Sequence, residues 1–483
     1  MKDLTKGNIY KNFFAFGIPM ILAGLLSTSY GLVDSAIAGK FIGENALAAT
    51  GSVSSLLMFT YSIFWGFSTG FSMYIAKLFG AKEYHKIKAS VYSMLIILAI
   101  VGGMLSATMI ACYKPLFRLM NVQESVWDDA FRYYCVCVLG LYFLVSTNTG
   151  AVLLNALGIS SYTFWMSLIS AVGNVGGNLF FVLVLDMGVE GLAIASVGSC
   201  LVVDACYFIK FRSCLKELGV KDAPWRFSFA ALRKSFAYSL PNTAQQLIMY
   251  LAPFITAPYL NQLGTSATAG ADIGSKMHSV CNTVYGNSSR VIGNFVAQCI
   301  GKKEYHKLKK GAHAGLLQGI VLSSPFILSC IIFRSPFCSF FLNSSASPET
   351  REYALLFAKR YLVFCYFHLL SNFAHGFFRG AKAMGHLFFS TLTGVVARYV
   401  FTVILVPLYG LHGYYIGSAA AWIFDAITCL TLYFIGAWHP LKAQARRERR
   451  QAKKLALQAE AGGEAPIKPN TDCEQKDHHE QSA

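Results

Sequence analysis

Long apolar runs follow one another along most of the chain, separated by short polar or basic segments. A helix needs about 20 apolar residues to cross the hydrocarbon core of a bilayer, and the runs reach this length. The pattern therefore predicts an all-α polytopic membrane protein with twelve transmembrane helices. The predicted spans are 13–38, 46–76, 89–112, 131–154, 162–185, 190–209, 236–260, 268–299, 311–333, 353–378, 387–407 and 411–436.

The polar connections reveal an internal repeat. The sequence GAKEYHKIK at residues 80–88 returns as GKKEYHKLK at residues 301–309, with seven of nine positions identical. The first connection joins spans 2 and 3, and the second joins spans 8 and 9. Because six is an even number, two six-helix halves cross the membrane in the same direction, as parallel repeats. At the same offset of 221 residues, the repeat also matches Gly43 with Gly264, Ala46 with Ala267 and Ala48 with Ala269.

Lysine and arginine are distributed unevenly over the connections. The segments on the side of the N-terminus hold 28 of them, whereas those on the other side hold five. Basic loops face the cytoplasm, so we expect a protein of the cell membrane with both termini cytoplasmic. This bias also accounts for most of the formal net charge of +17 without nucleic acid. Anionic lipid headgroups are the expected partners of such loops.

Composition and charge also predict the domain organisation. Only 13% of the residues are charged, against about 25% in soluble domains. The basic loop around 210–235 separates the halves, so we predict an N-lobe at 1–215 and a C-lobe at 216–441. Residues 442–483 combine a basic stretch with a polar segment of low hydrophobicity, which predicts a largely disordered cytoplasmic tail.

Asp34 is the one charged residue of span 1. A carboxylate inside a membrane costs about 2.5–3.5 kcal/mol on insertion scales, so it usually faces a cavity or a partner. The alternative is a structural Asp near the outer interface, bonded to Ser or Tyr. Span 5 has no charge but places Asn174 and Asn178 on one helical face, four residues apart. These two residues could also serve only as interhelical hydrogen-bonding groups.

Three segments together resemble the multidrug and toxic compound extrusion (MATE) family. The first is YGLVDSAIAGKFIGENALAATG, from Tyr30 to Gly51, and the second is GNVGGNLFFVLVLDMGVEGLAIAS in and after span 5. The third feature is Arg398 in span 11, followed by WIFD ending at Asp425 in span 12. The resemblance covers roughly residues 8–440.

The resemblance implies two six-helix lobes around a central cavity and a secondary antiporter, which typically exports organic cations against inward H⁺ or Na⁺. It also implies that Asp34, Asn174 and Asn178 form the ion-coupling site. Parts of the family carry Asp where this chain has Asn178, which cannot titrate. If span 5 faces span 1, we expect Asp34 to be the only carboxylate available in the N-lobe.

The second half departs from the first in its charges. Ile255 stands at the repeat position of Asp34, and span 8 is unusually polar. We assign to a substrate cavity of positive character the residues Tyr30, Gln245, Gln246, Asp272, Lys276, Arg290, His375 and Arg398. For each one, a structural ion pair or an interface position is the alternative, and Asp272 and Lys276 could simply pair with each other. A basic cavity disfavours a cationic substrate.

We therefore expect a secondary exporter of small, amphipathic organic molecules such as drugs or toxins, coupled to inward H⁺ or Na⁺ by alternating access. The alternative is a flippase or exporter of a lipid-linked or anionic metabolite, and a channel is a third class. An enzyme is not expected, because the sequence shows no nucleophile–base pair, metal motif or phosphate-binding loop. We predict a monomer that contacts its substrate and membrane lipids, with no metal and no cofactor beyond the coupling ion.

Overall fold

The computed structural model describes most of the chain, namely residues 1–120, 122, 124–220, 222, 224–341, 347–436 and 438–439. Residues Met1–Phe434 form one compact unit, so the division into lobes at residue 215 stays a prediction. The predicted tail at 442–483 lies outside the described residues.

The described residues form sixteen α-helices, eight in each half of the chain. In the first half these are α1 (Ile9–Ile37), α2 (Glu44–Gly80), α3 (Tyr84–Ala111), α4 (Tyr113–Leu119), α5 (Trp127–Leu139), α6 (Leu141–Ala156), α7 (Ser160–Leu179) and α8 (Val189–Glu217). In the second half they are α9 (Phe229–Asn261), α10 (Thr265–Lys302), α11 (Lys307–Ile332), α12 (Arg334–Phe341), α13 (Pro348–Leu356), α14 (Cys365–Gly380), α15 (Met384–Tyr409) and α16 (Leu411–Ile435). Long helices satisfy their own backbone groups, which a bilayer core requires.

The backbone confirms the internal repeat. Long and short helices follow in the same order in both halves, and the turns between them match as well. Gly43 before α2 and Gly264 before α10 both have positive φ, at 130° and 93°. Lys82 after α2 and Lys303 after α10 share a left-handed conformation, with φ of 59° and 63°. Such conformations are uncommon for residues other than glycine, so their recurrence at an offset of 221 residues marks equivalent turns.

Eight helical segments of the described chain are long and apolar enough to span a membrane, and a ninth is possible if the bent pair α5–α6 is one span. The remaining predicted spans correspond to α2, α9 and α10, which are long enough to cross, and α10 is the most polar of these three. These three helices pack against one another, α2 lying on both α9 and α10. Helices that face protein and a polar interior need less apolar surface, so the count of twelve stays a prediction.

Two predicted spans are less regular than the sequence indicated. Span 4 is two helices, α5 and α6, which meet at Gly140 with a bend of 49°. Its counterpart, span 10, begins in α13 and passes through a π-helical turn at Phe357–Tyr361 and a 3₁₀ turn at Leu362–Phe364 before α14. Apolar composition carries no signal for such breaks, which here lie at a glycine and at a π-helical turn, two common places for helices to kink.

The two halves meet at the end of the molecule that carries residues 1–8 and the turns after α2 and α10, which we call the basic end. Gln298 of α10 is completely buried there and donates to the Ala156 carbonyl at the end of α6, 3.3 Å away. Its side-chain oxygen accepts from the Leu4 amide at 3.1 Å. The Lys2 amide in turn donates to the Gly158 carbonyl at 3.2 Å. The segment Lys2–Thr5 therefore connects the first half with the second.

An ion pair fixes this segment to α10. The Lys302 ammonium binds the Asp3 carboxylate and donates to the Thr5 hydroxyl. Burial alone would raise the pKa of the Asp3 carboxyl, but hydrogen bonds from Lys302 and Thr5 bind its ionised form and lower the pKa below its ordinary value. A carboxyl with a lowered pKa stabilises the structure at neutral pH, and that contribution is lost as the pH falls through the lowered pKa.

We expect Asp3→Asn to loosen the segment, because the amide cannot pair with the Lys302 charge. Loss of a partly buried charged hydrogen bond corresponds to about 1 kcal/mol, or about fivefold in the local opening equilibrium. Hydrogen exchange of the peptide that contains Leu4 and Thr5, followed at neutral pH by mass spectrometry, should be faster by about that factor.

The control is Glu83→Gln, which breaks the Glu83–Lys86 pair after α2, 2.8 Å long and exposed. It should leave exchange at Leu4 and Thr5 unchanged. Wild-type exchange in the Asp3→Asn variant would contradict a fixing role for the Asp3–Lys302 pair.

Candidate functional site

The structure brings together the three residues that the family resemblance assigns to ion coupling. Asp34 lies near the end of α1, and Asn178 of α7 donates from its side-chain nitrogen to the Asp34 carboxylate at 2.5 Å. The same nitrogen lies 3.3 Å from the Asn174 side-chain oxygen. Asn174 then donates to the Ser196 hydroxyl of α8 at 2.9 Å. The site is thus a polar chain across α1, α7 and α8 that begins at one carboxylate.

Because these polar side chains are largely buried, leaving their hydrogen-bonding groups without partners costs free energy. Asn178 is fully buried and Asn174 is 2% exposed, whereas Asp34 is partly exposed. The Asn178 side-chain oxygen is buried and has no hydrogen-bond partner among the described residues. A buried acceptor without a donor costs about 1–3 kcal/mol, so a ligand that this oxygen could bind would be stabilised.

The atoms of this site that could bind a cation are oxygen atoms. Carboxylate, amide and hydroxyl oxygens are ligands of hard cations, and the carboxylate also accepts a proton. An amide next to a carboxyl group can serve either state, because its nitrogen donates to the ionised acid and its oxygen accepts from the protonated acid. The site could therefore bind and release one H⁺ or one monovalent cation while Asp34 and Asn178 stay in contact.

Both helices that carry the site change geometry directly after it. α1 passes into a π-helical turn at Ala38–Ile42, and α7 into another at Phe180–Val184. Turns of this kind occur frequently at functional sites. Apolar side chains of these turns and of α8 pack together beyond Asp34, in a cluster that contains Ile37, Ala38, Val182 and Leu192.

α1 also connects the site to the second half. The Gln318 side chain of α11 is fully buried and donates to the Phe13 carbonyl of α1 at 3.0 Å. The hydroxyls of Thr28 in α1 and Thr283 in α10 lie 3.2 Å apart. One helix therefore packs on α10 and α11 along much of its length and ends beside α7 at Asp34.

Sequence reasoning missed two polar residues of the first half. Ser196 extends the site, and it is the last residue of the segment that carried the family resemblance. Asp204 of α8 binds the Ser146 hydroxyl and accepts from the Thr147 hydroxyl at 2.7 Å. Asp34 is thus not the only carboxylate inside the first half. The signal was an acid within an apolar span, the same that identified Asp34.

Several residues assigned to the substrate cavity lie at the junction of α9, α10 and α14. Gln245 of α9 is fully buried and accepts from the Arg379 guanidinium of α14 at 3.2 Å. Arg290 of α10 has a long contact of 3.5 Å with the Asn287 side-chain oxygen. Gln246 is half-buried on α9. Arg379 lies directly after predicted span 10, in a connection expected to face the cytoplasm, but its side chain is buried.

The other assigned residues make separate contacts. Arg398 donates to Thr256 at 3.3 Å and to the Tyr414 hydroxyl at 3.1 Å. His375 is 1% exposed and lies 3.1 Å from the Asp425 carboxylate. Asp272 and Lys276 form a 2.9 Å ion pair with both side chains largely exposed, and whether the pair faces a cavity stays a prediction. The Tyr30 side chain lies outside the described part of the structure.

The MatE family model matches residues 19–180 and 241–404, one segment in each half. The chain belongs to this family of multidrug and toxic compound extrusion transporters, and it is a multi-pass membrane protein. It is 24% identical over 353 residues to a probable multidrug resistance protein, YoeA of Bacillus subtilis, covering 70% of this chain and 75% of the relative.

Two further comparisons concern a second relative and a solved structure. A protein of Shewanella oneidensis described as an FAD transporter is 23% identical over 365 residues, covering 73% of this chain and 79% of the relative. A solved MATE family transporter in an outward-facing conformation matches with a TM-score of 0.80 and 21% identity, over 90% of this chain and 98% of that one. At this identity the likeness shows the fold alone.

We expect Asn178→Asp to keep a hydrogen bond to Asp34 but to change the ion dependence of transport. Two carboxyl groups this close cannot both ionise without a bound cation. Export by the variant should therefore remain active at higher pH or depend more strongly on Na⁺. The measurement is gradient-driven export from everted vesicles across a pH series, with and without Na⁺.

Asn155→Asp is the matched control, because Asn155 is also a buried asparagine of the first half but accepts from Thr163 instead. It should leave the ion dependence as in wild type. An unchanged dependence in Asn178→Asp would separate Asn178 from ion coupling.

Proposed function

We propose that the protein is a secondary active exporter of small, amphipathic organic molecules such as drugs or toxins, driven by inward H⁺ or Na⁺ through alternating access. The observation that carries the proposal is the 2.5 Å contact between Asp34 of α1 and Asn178 of α7. α1 also packs against the second half of the chain. A coupling group must bind the driving ion and also touch the element that moves, and the carboxylate of Asp34 on α1 is suited to both tasks.

The excess of lysine and arginine supports an orientation with the basic end in the cytoplasm of a cell membrane. There the protein would work as a monomer, with its basic loops against anionic headgroups. Contacts such as that of Gln298 with Ala156 close the basic end. This closure supports a state in which the polar interior is reached from the outer side.

In this proposal, the ionised Asp34 accepts from the Asn178 amide while the basic end is closed. Arrival of H⁺ or Na⁺ from outside removes the uncompensated charge and reverses what Asn178 must offer, from donor to acceptor. The changed contact alters how α1 sits against α7. Because α1 also packs on α10 and α11, the balance between outward-open and inward-open states shifts.

A second candidate function is export or flipping of an anionic or lipid-linked molecule. The buried Arg379 and the half-buried Arg290 favour it, and the relative described as an FAD transporter is consistent with an anionic substrate. Coupling at Asp34 would serve either substrate class. Export measured with cationic and anionic dyes side by side discriminates between the two candidates.

We expect Asp34→Asn to reach the membrane at a normal level but to lose gradient-driven export by at least about tenfold, because the amide neither titrates nor binds a cation as a carboxylate does. The measurement is dye export from everted vesicles, with a pH gradient and a Na⁺ gradient imposed separately.

Asp204→Asn is the control, since it removes another carboxylate of the same half that is bound by Ser146 and Thr147. It should retain export under both gradients. If Asp34→Asn exports as well as wild type, the coupling site lies elsewhere, and Asp272 in the second half becomes the next candidate.

A further inference from the structure

The second half holds arginines within its helices, Arg379 buried and Arg290 and Arg398 half-buried, that have no acidic partner in an ion pair within the described chain. Arg290, Arg379 and Arg398 all lie within its helices, and none of them forms an ion pair within 4 Å among the residues that the structure describes. Arginine stays charged under all physiological conditions. These guanidinium groups are therefore cations in contact with neutral partners.

The described acids of the second half form no ion pair with these arginines, although the Asp425 carboxylate lies within electrostatic range of Arg379. Asp425 is the buried carboxylate of α16, and its oxygen is bound by His375 at 3.1 Å and lies 3.5 Å from the Cys429 sulfur. Asp272 pairs with Lys276 instead. Among the described residues, three guanidinium groups therefore stand against one buried carboxylate, and that carboxylate is already bound by His375.

Arg290 and Arg379 lie on adjoining turns of two helices in backbone contact. Their helices, α10 and α14, touch along their backbones: a Cβ placed on Gly376 would lie 2.1 Å from the Ser289 carbonyl oxygen. The Ser289 hydroxyl donates to the Asn372 carbonyl at 2.5 Å. This close approach puts both guanidinium groups near enough for their charges to repel.

Neither guanidinium is saturated with hydrogen bonds. Arg379 is 8% exposed, and its Nε has no partner among the described residues. Arg379 donates to the Gln245 side-chain oxygen at 3.2 Å, and Arg290 donates to the Asn287 side-chain oxygen at 3.5 Å. A guanidinium carries five N–H donors, so several remain available. Removing a charge from water without a counter-charge costs several kcal/mol.

An aromatic side chain adjoins the pair. Tyr250 of α9 lies within electrostatic range of Arg290 and is 39% exposed. Gln246, one turn before it, is half-buried. Arg290 is half-buried and is the more exposed of the two arginines, whereas Arg379 is covered by Gln245 of α9. Tyr250 offers a ring near Arg290 on which a flat apolar group could stack.

We propose that Arg290 and Arg379 bind the anionic group of an amphipathic organic substrate, a carboxylate, sulfonate or phosphate, with Tyr250 against its ring. Guanidinium groups recognise such anions bidentately, and two adjacent ones are relieved of their repulsion when an anion binds between them. The inference rests on the proposed transport function and assigns its substrate to the organic anions.

The test uses a matched pair of fluorescent probes, 1-pyrenesulfonate and 1-pyrenemethylammonium, which share a ring system and differ in charge. Binding to the full chain in a non-ionic detergent is followed by fluorescence anisotropy, with empty micelles as the background. We expect wild type to bind the sulfonate at least about tenfold more tightly, which corresponds to about 1.4 kcal/mol. Equal affinities, or preference for the ammonium probe, would overturn the proposal with wild type alone.

Variants assign the preference to residues. Arg290→Gln and Arg379→Gln should each weaken sulfonate binding about tenfold without weakening ammonium binding. Arg290→Lys should lose less, because it keeps the charge but not the bidentate geometry. Arg334→Gln, at the start of α12, is the control and should bind both probes as wild type does. Wild-type sulfonate affinity in both Gln variants would overturn the assignment.

Two further measurements complete the test. The first distinguishes a lipid headgroup from a soluble anion, and the second distinguishes the anion site from ion coupling at Asp34. Displacement of the sulfonate probe by phosphatidylglycerol, but not by phosphatidylcholine, would support a lipid headgroup as the anion. Resistance to both lipids would support a soluble organic anion. The assay needs no gradient, so Asp34→Asn should keep the sulfonate preference even though export is lost. Failure of the coupling proposal and failure of the anion site therefore give different results.

Discussion

Asp34 imposes the constraint on which this architecture depends, because a carboxylate inside a membrane protein must be matched by a partner, a proton or a cation. Asn178 supplies one amide donor at 2.5 Å, and Asn174 and Ser196 continue the chain of polar groups into α8. This arrangement fixes the end of α1 against α7. α1 also packs on α10 and α11, and we therefore propose that the charge state of this one carboxyl bears on the contact between the two halves.

The repeat provides two similar scaffolds that carry opposite chemistry. In the part of the chain that the structure describes, both halves contain eight helices in the same order, with equivalent turns at Gly43 and Gly264. The first half has a carboxylate in its opening helix where the second has the apolar Ile255. The second half instead carries arginines on α10 and α14. Separate ion and substrate sites on related halves would let one relative movement expose both in turn.

Much of the fold could be predicted from the sequence, since apolar runs and a repeated loop are direct consequences of bilayer thickness and chain duplication. The breaks at Gly140 and at Phe357–Tyr361 could not, because they leave the apolar composition unchanged. At the site, the family resemblance paired Asp34 with Asn178, and the structure confirms this contact. Arg379 was missed because it stands at the end of α14, beside a basic loop, and sequence does not show which way a long side chain turns.

The central claim is that occupancy of Asp34 sets the balance between closed and open states of the basic end. Spin labels on cysteines introduced at positions 82 and 303 lie in the equivalent exposed turns after α2 and α10. Double electron–electron resonance between these labels measures the distance across the basic end. In wild type, the distance distribution should shift as the pH is lowered or Na⁺ is added, and in Asp34→Asn it should be the same under all these conditions. A variant that responds to pH or Na⁺ as wild type does would contradict the account.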